Sequence, residues 1–211
     1  MNQYIRMNYQ LRENNAQMVN YLQNFLIDNE EVIIINIGTD KCIVDAVGCI
    51  VGSILQENNC PLEVYGTVDN PIHALNITNE INRINRRHPN AKIIAIDACL
   101  GDAVDIGDII IRNRAVKPGK GAGKKMSPVG DLSIVGIVGI SDTGELVSSM
   151  SIRLSFVYNM AKVISNIIMH ACELSGVQYR QPIYKEVAPD ELYQMNFDDE
   201  VANDRTDREY K

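Results

Sequence analysis

Four stretches of this chain are apolar almost without a break. Residues 32–37 read VIIINI and are closed by Gly38. Residues 92–97 (KIIAID), 106–112 (IGDIIIR) and 132–139 (LSIVGIVG) are the others. Runs of this length, rich in Ile and Val, are expected of strands buried on both faces. Residues 62–66, LEVYG, predict a shorter strand. Helical spacing fills much of the rest. In residues 9–28, Met18, Tyr21, Leu22, Phe25 and Leu26 recur on one helical face. The stretch 43–57 repeats the pattern with Val47, Ile50, Val51, Ile54 and Leu55, and 72–87 does so with Ile77, Ile81 and Ile84. A long helix is predicted over 151–173. Residues 113–128 are rich in Gly, Lys and Pro and predict a loop.

Strands alternating with helices imply an α/β fold with a mainly parallel sheet and helices on both faces. Three parts are expected: an N-terminal helix within 1–30 packed on the domain, an α/β domain at 31–174, and an acidic, partly mobile tail at 175–211. In such folds ligands sit in the crevice beyond the carboxyl ends of the strands. Asp97 is read as closing its strand there. Asp40 and Asp45 follow the first long strand, and Asp45 precedes a helix, where Asp is a good N-cap.

Composition narrows the class. The 211 residues are 45% hydrophobic and 22% charged, ordinary for a globular protein. Net charge is −7, and the segment 175–211 holds an excess of acids. The remaining body is near neutral, which argues against general nucleic-acid binding. The first residues lack an apolar signal core, and no uncharged apolar stretch reaches spanning length, so a cytoplasmic protein without a membrane is expected. The five cysteines have irregular spacing with no CxxC, which suggests reduced thiols. Cys99 reads as a buried packing residue.

Two strand ends can bring Asp45 and Asp97 to one crevice. Adjacent carboxylates do not both ionise easily, so such a pair can hold an acid and a base at neutral pH. The same residues also suit plainer duties: Asp45 as a helix cap, Asp97 as an acceptor for a neighbouring turn.

Five blocks occur in one order: IGTDKCIVDAVGCIVGSIL, VYGTVDNPIHALNI, IIAIDACLG, KPGKGAGKKMSPVGDLSIVGIV and RLSFVYNMAKVISNII. Together, over about residues 32–170, they resemble the YyaC-type sporulation proteins of endospore-forming bacteria. That family is similar in turn to the spore germination protease, and more distantly to the hydrogenase maturation endopeptidases. The resemblance implies a three-layer α/β/α sandwich of the phosphorylase/hydrolase-like kind. It also implies peptide-bond hydrolysis by an aspartate pair, Asp45 and Asp97, in a sporulating cell or spore interior. Small acid-soluble spore proteins are the implied substrates. No cofactor is expected.

Hydrogenase-processing relatives bind nickel through two carboxylates and a His. Here Lys117 stands in the block where relatives carry His, so no metal is expected. Asp40, Lys117, Arg153 and His73 are the auxiliary candidates: Arg153 for a substrate carbonyl, His73 as a cap or the best-placed His, Lys117 as a cation near a carboxylate. Residues 112–125 carry six basic residues and no acid. Their glycine spacing fails the P-loop pattern, so they read as a basic lip or a solvated loop. The second reading for the whole chain is a catalytically silent sporulation scaffold. Homo-oligomerisation is left open.

Overall fold

The structure is a computed structural model, and it describes residues 4–11, 15–118, 126–141 and 152–177. The last residues expected in the acidic tail, 178–211, and half of the basic lip, 119–125, lie outside the described residues.

The apolar runs form the strands the pattern predicts. They are β2 (Val32–Asn36), β4 (Lys92–Gly101), β5 (Asp108–Arg112) and β6 (Leu132–Ile140), with the short β3 (Glu63–Tyr65). All five residues of β2 are buried, as expected for a strand covered on both faces. An unpredicted strand precedes them: β1 (Tyr4–Asn8). The helices are α1 (Asn15–Ile27), α2 (Ala46–Glu57), α3 (Ile77–Arg87) and α4 (Leu154–Ser175).

The sheet has six strands in the order β1-β5-β6-β4-β2-β3. The pairings β2–β3, β2–β4 and β4–β6 are parallel, while β5–β6 and β1–β5 are antiparallel. The parallel half matches expectation; the two antiparallel edge pairings make the sheet mixed. The N-terminal part is therefore a strand followed by a helix, not a helix alone. Arg6 of β1 bonds the carboxylates of Asp105 and Asp108, and Asn8 donates to Asp108 at 2.9 Å. These contacts fix β1 on the edge, and the two Asp residues hold Arg6 firmly protonated.

Two cores lie on the two faces of the sheet. Ile34, Ile94, Ile96, Ile134, Ile109 and Ile111 pack with buried residues of α1, α2 and α4. On the other face Ile33, Ile35, Ala95 and Val135 pack with Ile77 and Ile84 of α3. Val116 and Val129, which form an isolated antiparallel bridge, cover part of this second face. The result is a three-layer α/β/α arrangement.

The approach of α2 to the sheet is set by glycine. A Cβ on Gly48 would lie 2.0 Å from the Ile37 carbonyl oxygen, and one on Gly52 would lie 1.9 Å from that of Gly66. Spaced one helical turn apart, they let α2 rest on backbone just past the ends of β2 and β3. Gly48→Ala must push this interface apart. A loss of about 3 kcal/mol is expected, at the upper end for overpacking, and urea unfolding of the variant measures it.

Candidate active site

β2 stops at Asn36, and the chain turns through Gly38 towards α2. The Gly38 N–H donates to the Ile72 carbonyl, and Thr39 N–H to that of Asp45. A 3-10 turn, Ile43–Asp45, then delivers Asp45 to the first position before α2. The sequence expectation of an N-cap position is met, but the Asp45 side chain makes no capping bond. Asp45 is exposed.

Asp97 does not close its strand. β4 runs on to Gly101, and Asp97 pairs with Val135 in its interior. The cause is β6, whose length keeps β4 hydrogen-bonded beyond the point where β2 has ended. Relative to β2 the expectation survives. Asn36 lies opposite Ile96, so Asp97 is one step past the last β2 residue. It stands at the carboxyl end of the neighbouring strand, beside the turn that carries Asp45.

Side chains alternate along a strand, so Asp97 shares its face with Ala95 and Cys99. Arg112 lies opposite Ser133, and Ser133 opposite Ala95, which puts both on that face. Arg112 Nε donates to Ser133 Oγ at 3.2 Å. Its guanidinium is electrostatically close to Asp97 and Cys99. Burial and the neighbouring charge of Arg114 lower its pKa.

The Asp97 carboxyl is pushed up from 3.8 to about 7. Burial is the main cause, and the charge of Asp45 adds to it. Two groups oppose the rise: the Ala98 N–H, which donates to Asp97 Oδ1 at 2.9 Å, and Arg112. Asp97 thus holds its proton to neutrality, and the charge of Asp45 reaches it from across the strand ends.

The auxiliary candidates are distributed around this pair. Asp40 is exposed in the turn before α2. Its charge, with that of Asp45, helps burial raise the Cys49 thiol to about 11. His73 caps its own turn: Nδ1 accepts from the Leu75 N–H at 3.2 Å, and its backbone N–H donates to Asn76 Oδ1 at 2.8 Å. The Ile72 it follows bridges to Ile37, so this segment runs beside the end of β2. Lys117 is exposed next to the Val116–Val129 bridge, and Arg153 is exposed at the N-cap position of α4. The charges that set Asp97 are those of Asp45 and Arg112; His73, Lys117 and Arg153 are not among them.

Cys99 is exposed, contrary to the packing role expected of it. It follows Asp97 on a stretch of β4 that has outrun β2, which leaves its side chain open to solvent. Arg112 is not singled out in the sequence because it opens the basic run 112–125, read as a lip or solvated loop; the structure makes it the last residue of β5. The signal lies in its parity: two steps along β5 separate it from Ile110 on the same face.

Among the described residues no three His, Cys, Asp or Glu side chains converge to hold a metal ion. Beside Asp97 stands a guanidinium rather than a third donor. The described residues do not fit a nickel centre of two carboxylates and a His.

Fold and site together define a three-layer α/β protein with a raised-pKa carboxyl one step past the carboxyl end of β2. The chain belongs to the family described as "Protein of unknown function (DUF1256)", whose model matches residues 6–167. It is similar to the uncharacterized protein YyaC of Bacillus subtilis (strain 168), with 39% identity over 135 residues. That match covers 64% of this chain and 66% of the relative, just under two thirds of the relative's length. Among solved structures, the NiFe hydrogenase maturation protease HycI from Thermococcus kodakarensis KOD1 aligns with 17% identity. The alignment covers 70% of this chain and 98% of HycI, with a TM-score of 0.42. No helix among the described residues is long and apolar enough to cross a membrane.

Proposed function

We propose that this protein is a metal-independent peptidase in which Asp45 and Asp97 divide acid and base duties. The observation that carries the reading is the Asp97 carboxyl, raised to about 7 with Asp45 contributing to the rise. A group that keeps its proton at neutral pH can give it to a departing amide nitrogen. Asp45, exposed at the start of α2, accepts the proton of an attacking water. The ordered resemblance to sporulation proteins and the germination protease supports proteins of the spore as substrates, in the cytoplasm of the sporulating cell. Arg112 suits the oxygen that gains charge on attack, since a cation beside the reacting carbonyl stabilises that charge.

The test is incubation of the full chain with small acid-soluble spore proteins from pH 5 to 8, with products read by mass spectrometry. Defined fragments are expected from the native chain and not from Asp45→Asn or Asp97→Asn. Fragments that persist in both variants would sink the mechanism. The scaffold reading draws on the residues around Asp45, Cys42-Ile43-Val44 before it and Val47-Gly48-Cys49 after it, which depart from the protease pattern, and on Lys117 where relatives carry His. It predicts no fragments from any form.

A further inference from the structure

On the side of β2, the last strand pairing of β4 is Ile96 with Asn36. The Ile37 N–H still donates to the Ile96 carbonyl at 2.7 Å, and then the chain turns away, the Gly38 N–H going to Ile72. β4 continues to Gly101 with β6 as its neighbour on the other side. From Ala98 onward the edge that faced β2 is uncovered by it. Burial changes at the same step: Ile94, Ala95 and Ile96 are buried, and no residue from Asp97 to Gly101 is.

Parity decides which backbone groups face this gap. Side chains and backbone N–H and C=O pairs both alternate along a strand, so residues that share a face aim their backbone groups at the same edge. Ile94, Ile96, Ala98 and Leu100 share the face that packs with α2, and the Ile96 carbonyl is the one that reaches β2. Ala98 and Leu100 therefore aim theirs at the gap. The Ala98 N–H is taken by Asp97 Oδ1 at 2.9 Å. The Ala98 carbonyl, the Leu100 N–H and the Leu100 carbonyl have no partner on that side among the described residues.

We propose that this open edge of β4, Ala98–Gly101, binds an extended polypeptide segment by strand addition. The proposal rests on the peptidase reading for its occupant, the substrate chain, and says where that chain lies. An added strand runs about 4.8 Å from β4 and passes Asp97 at the start of the gap, which brings its peptide bonds to the carboxyl that donates the proton. Leu100 supplies a donor and an acceptor and Ala98 a second acceptor, all from one edge, which is the pattern another extended backbone satisfies. A helix does not fit, because its own N–H and C=O groups are already paired. On the α2 face the guest's side chains meet Ala98 and Leu100, which lie half-buried against the apolar core, so an apolar residue is favoured there. On the opposite face they lie with Asp97 and Cys99, where a polar residue is favoured.

Amide hydrogen exchange followed by NMR on the full chain carrying Asp45→Asn reads the edge without turnover. The probe is a small acid-soluble spore protein at saturating concentration. The Leu100 amide is expected to exchange more slowly with the probe bound, while amides of α3 keep their rates. The dissociation constant of the probe should rise roughly threefold to tenfold in Leu100→Pro, the contribution of one hydrogen bond. Proline is tolerated on an edge whose N–H faces outward. Leu100→Ala loses the same side chain but keeps the N–H, so it should bind more tightly than Leu100→Pro. Protection of Leu100 in a protein whose native chain yields no fragments supports the edge and removes hydrolysis alone. A Leu100 amide unchanged by the probe, or equal weakening in the Pro and Ala variants, would overturn the proposal. So would protection that grows with protein concentration before the probe is added, since the edge would then pair with a second copy of the chain.

Discussion

Hydrolysis of a spore protein is expected to fall by about 10²–10⁴-fold in Asp97→Asn, the usual contribution of a positioned acid or base. Asn is close to isosteric and can accept the Ala98 N–H that Asp97 Oδ1 accepts now. The loss would thus report the proton and not the shape. Asp45→Asn should lose as much, because each group serves only while the other does its part, and the double variant should be little worse than either single one. The pH profile gives the roles a sign. Asp97 acts in its protonated form, whose fraction falls as pH rises through about 7. The rate should decline tenfold per pH unit above that point. Initial rates of fragment formation between pH 5 and 9 check it. A rate that rises through pH 7 and levels off would assign Asp97 the opposite role.

The second large effect is on folding. An Asp whose native pKa lies above its unfolded value holds a proton that the unfolded chain has released. Between about 4 and 7 the native state binds more protons, so stability falls as pH rises through this window and is level above it. Asp97→Asn carries no such charge. It should be more stable than the native chain at pH 8 by about 2–4 kcal/mol, counting roughly 1.4 kcal/mol for each pH unit of that window and discounting for partial solvent access. At pH 4 the two should be alike. Urea unfolding at both pH values measures the difference, and parallel curves would mean that Asp97 is ordinary. A site that costs stability when charged is the signature of function set against folding.

How much of this is readable in the residues follows from what each signal depends on. β2 and β6 are legible because parallel strands covered on both faces leave little room for polar side chains, and their runs are almost unbroken. The helices are legible from their stripes, although α3 begins at Ile77 rather than residue 72 because Ile72 bridges to Ile37 and His73 and Asn76 cap the turn between. β1 is not legible as a run. It is five residues of alternating polarity, and its place depends on Arg6 meeting Asp105 and Asp108 from the far side of the sequence. The length of β4 is set by β6, so no property of ACLG foretells that Asp97 and Cys99 stand on a paired strand.

The same logic governs the site. Asp45 can be placed by its own neighbours, since a turn and a helix start are local. Its action on Asp97 joins two strand ends and rests on tertiary structure. Arg112 enters from a third strand, so its parity with Ile110 becomes informative only once β5, β6 and β4 are paired.

The carboxyl of Asp97 can be followed directly by carbon-13 NMR of the full chain labelled at Asp, assigned through Asp97→Asn. A titration centred near pH 7 is expected, moving to lower pH in Asp45→Asn because the opposing charge is gone. A midpoint near 4 that does not respond to Asp45 would contradict a proton shared between catalytic duties at this site.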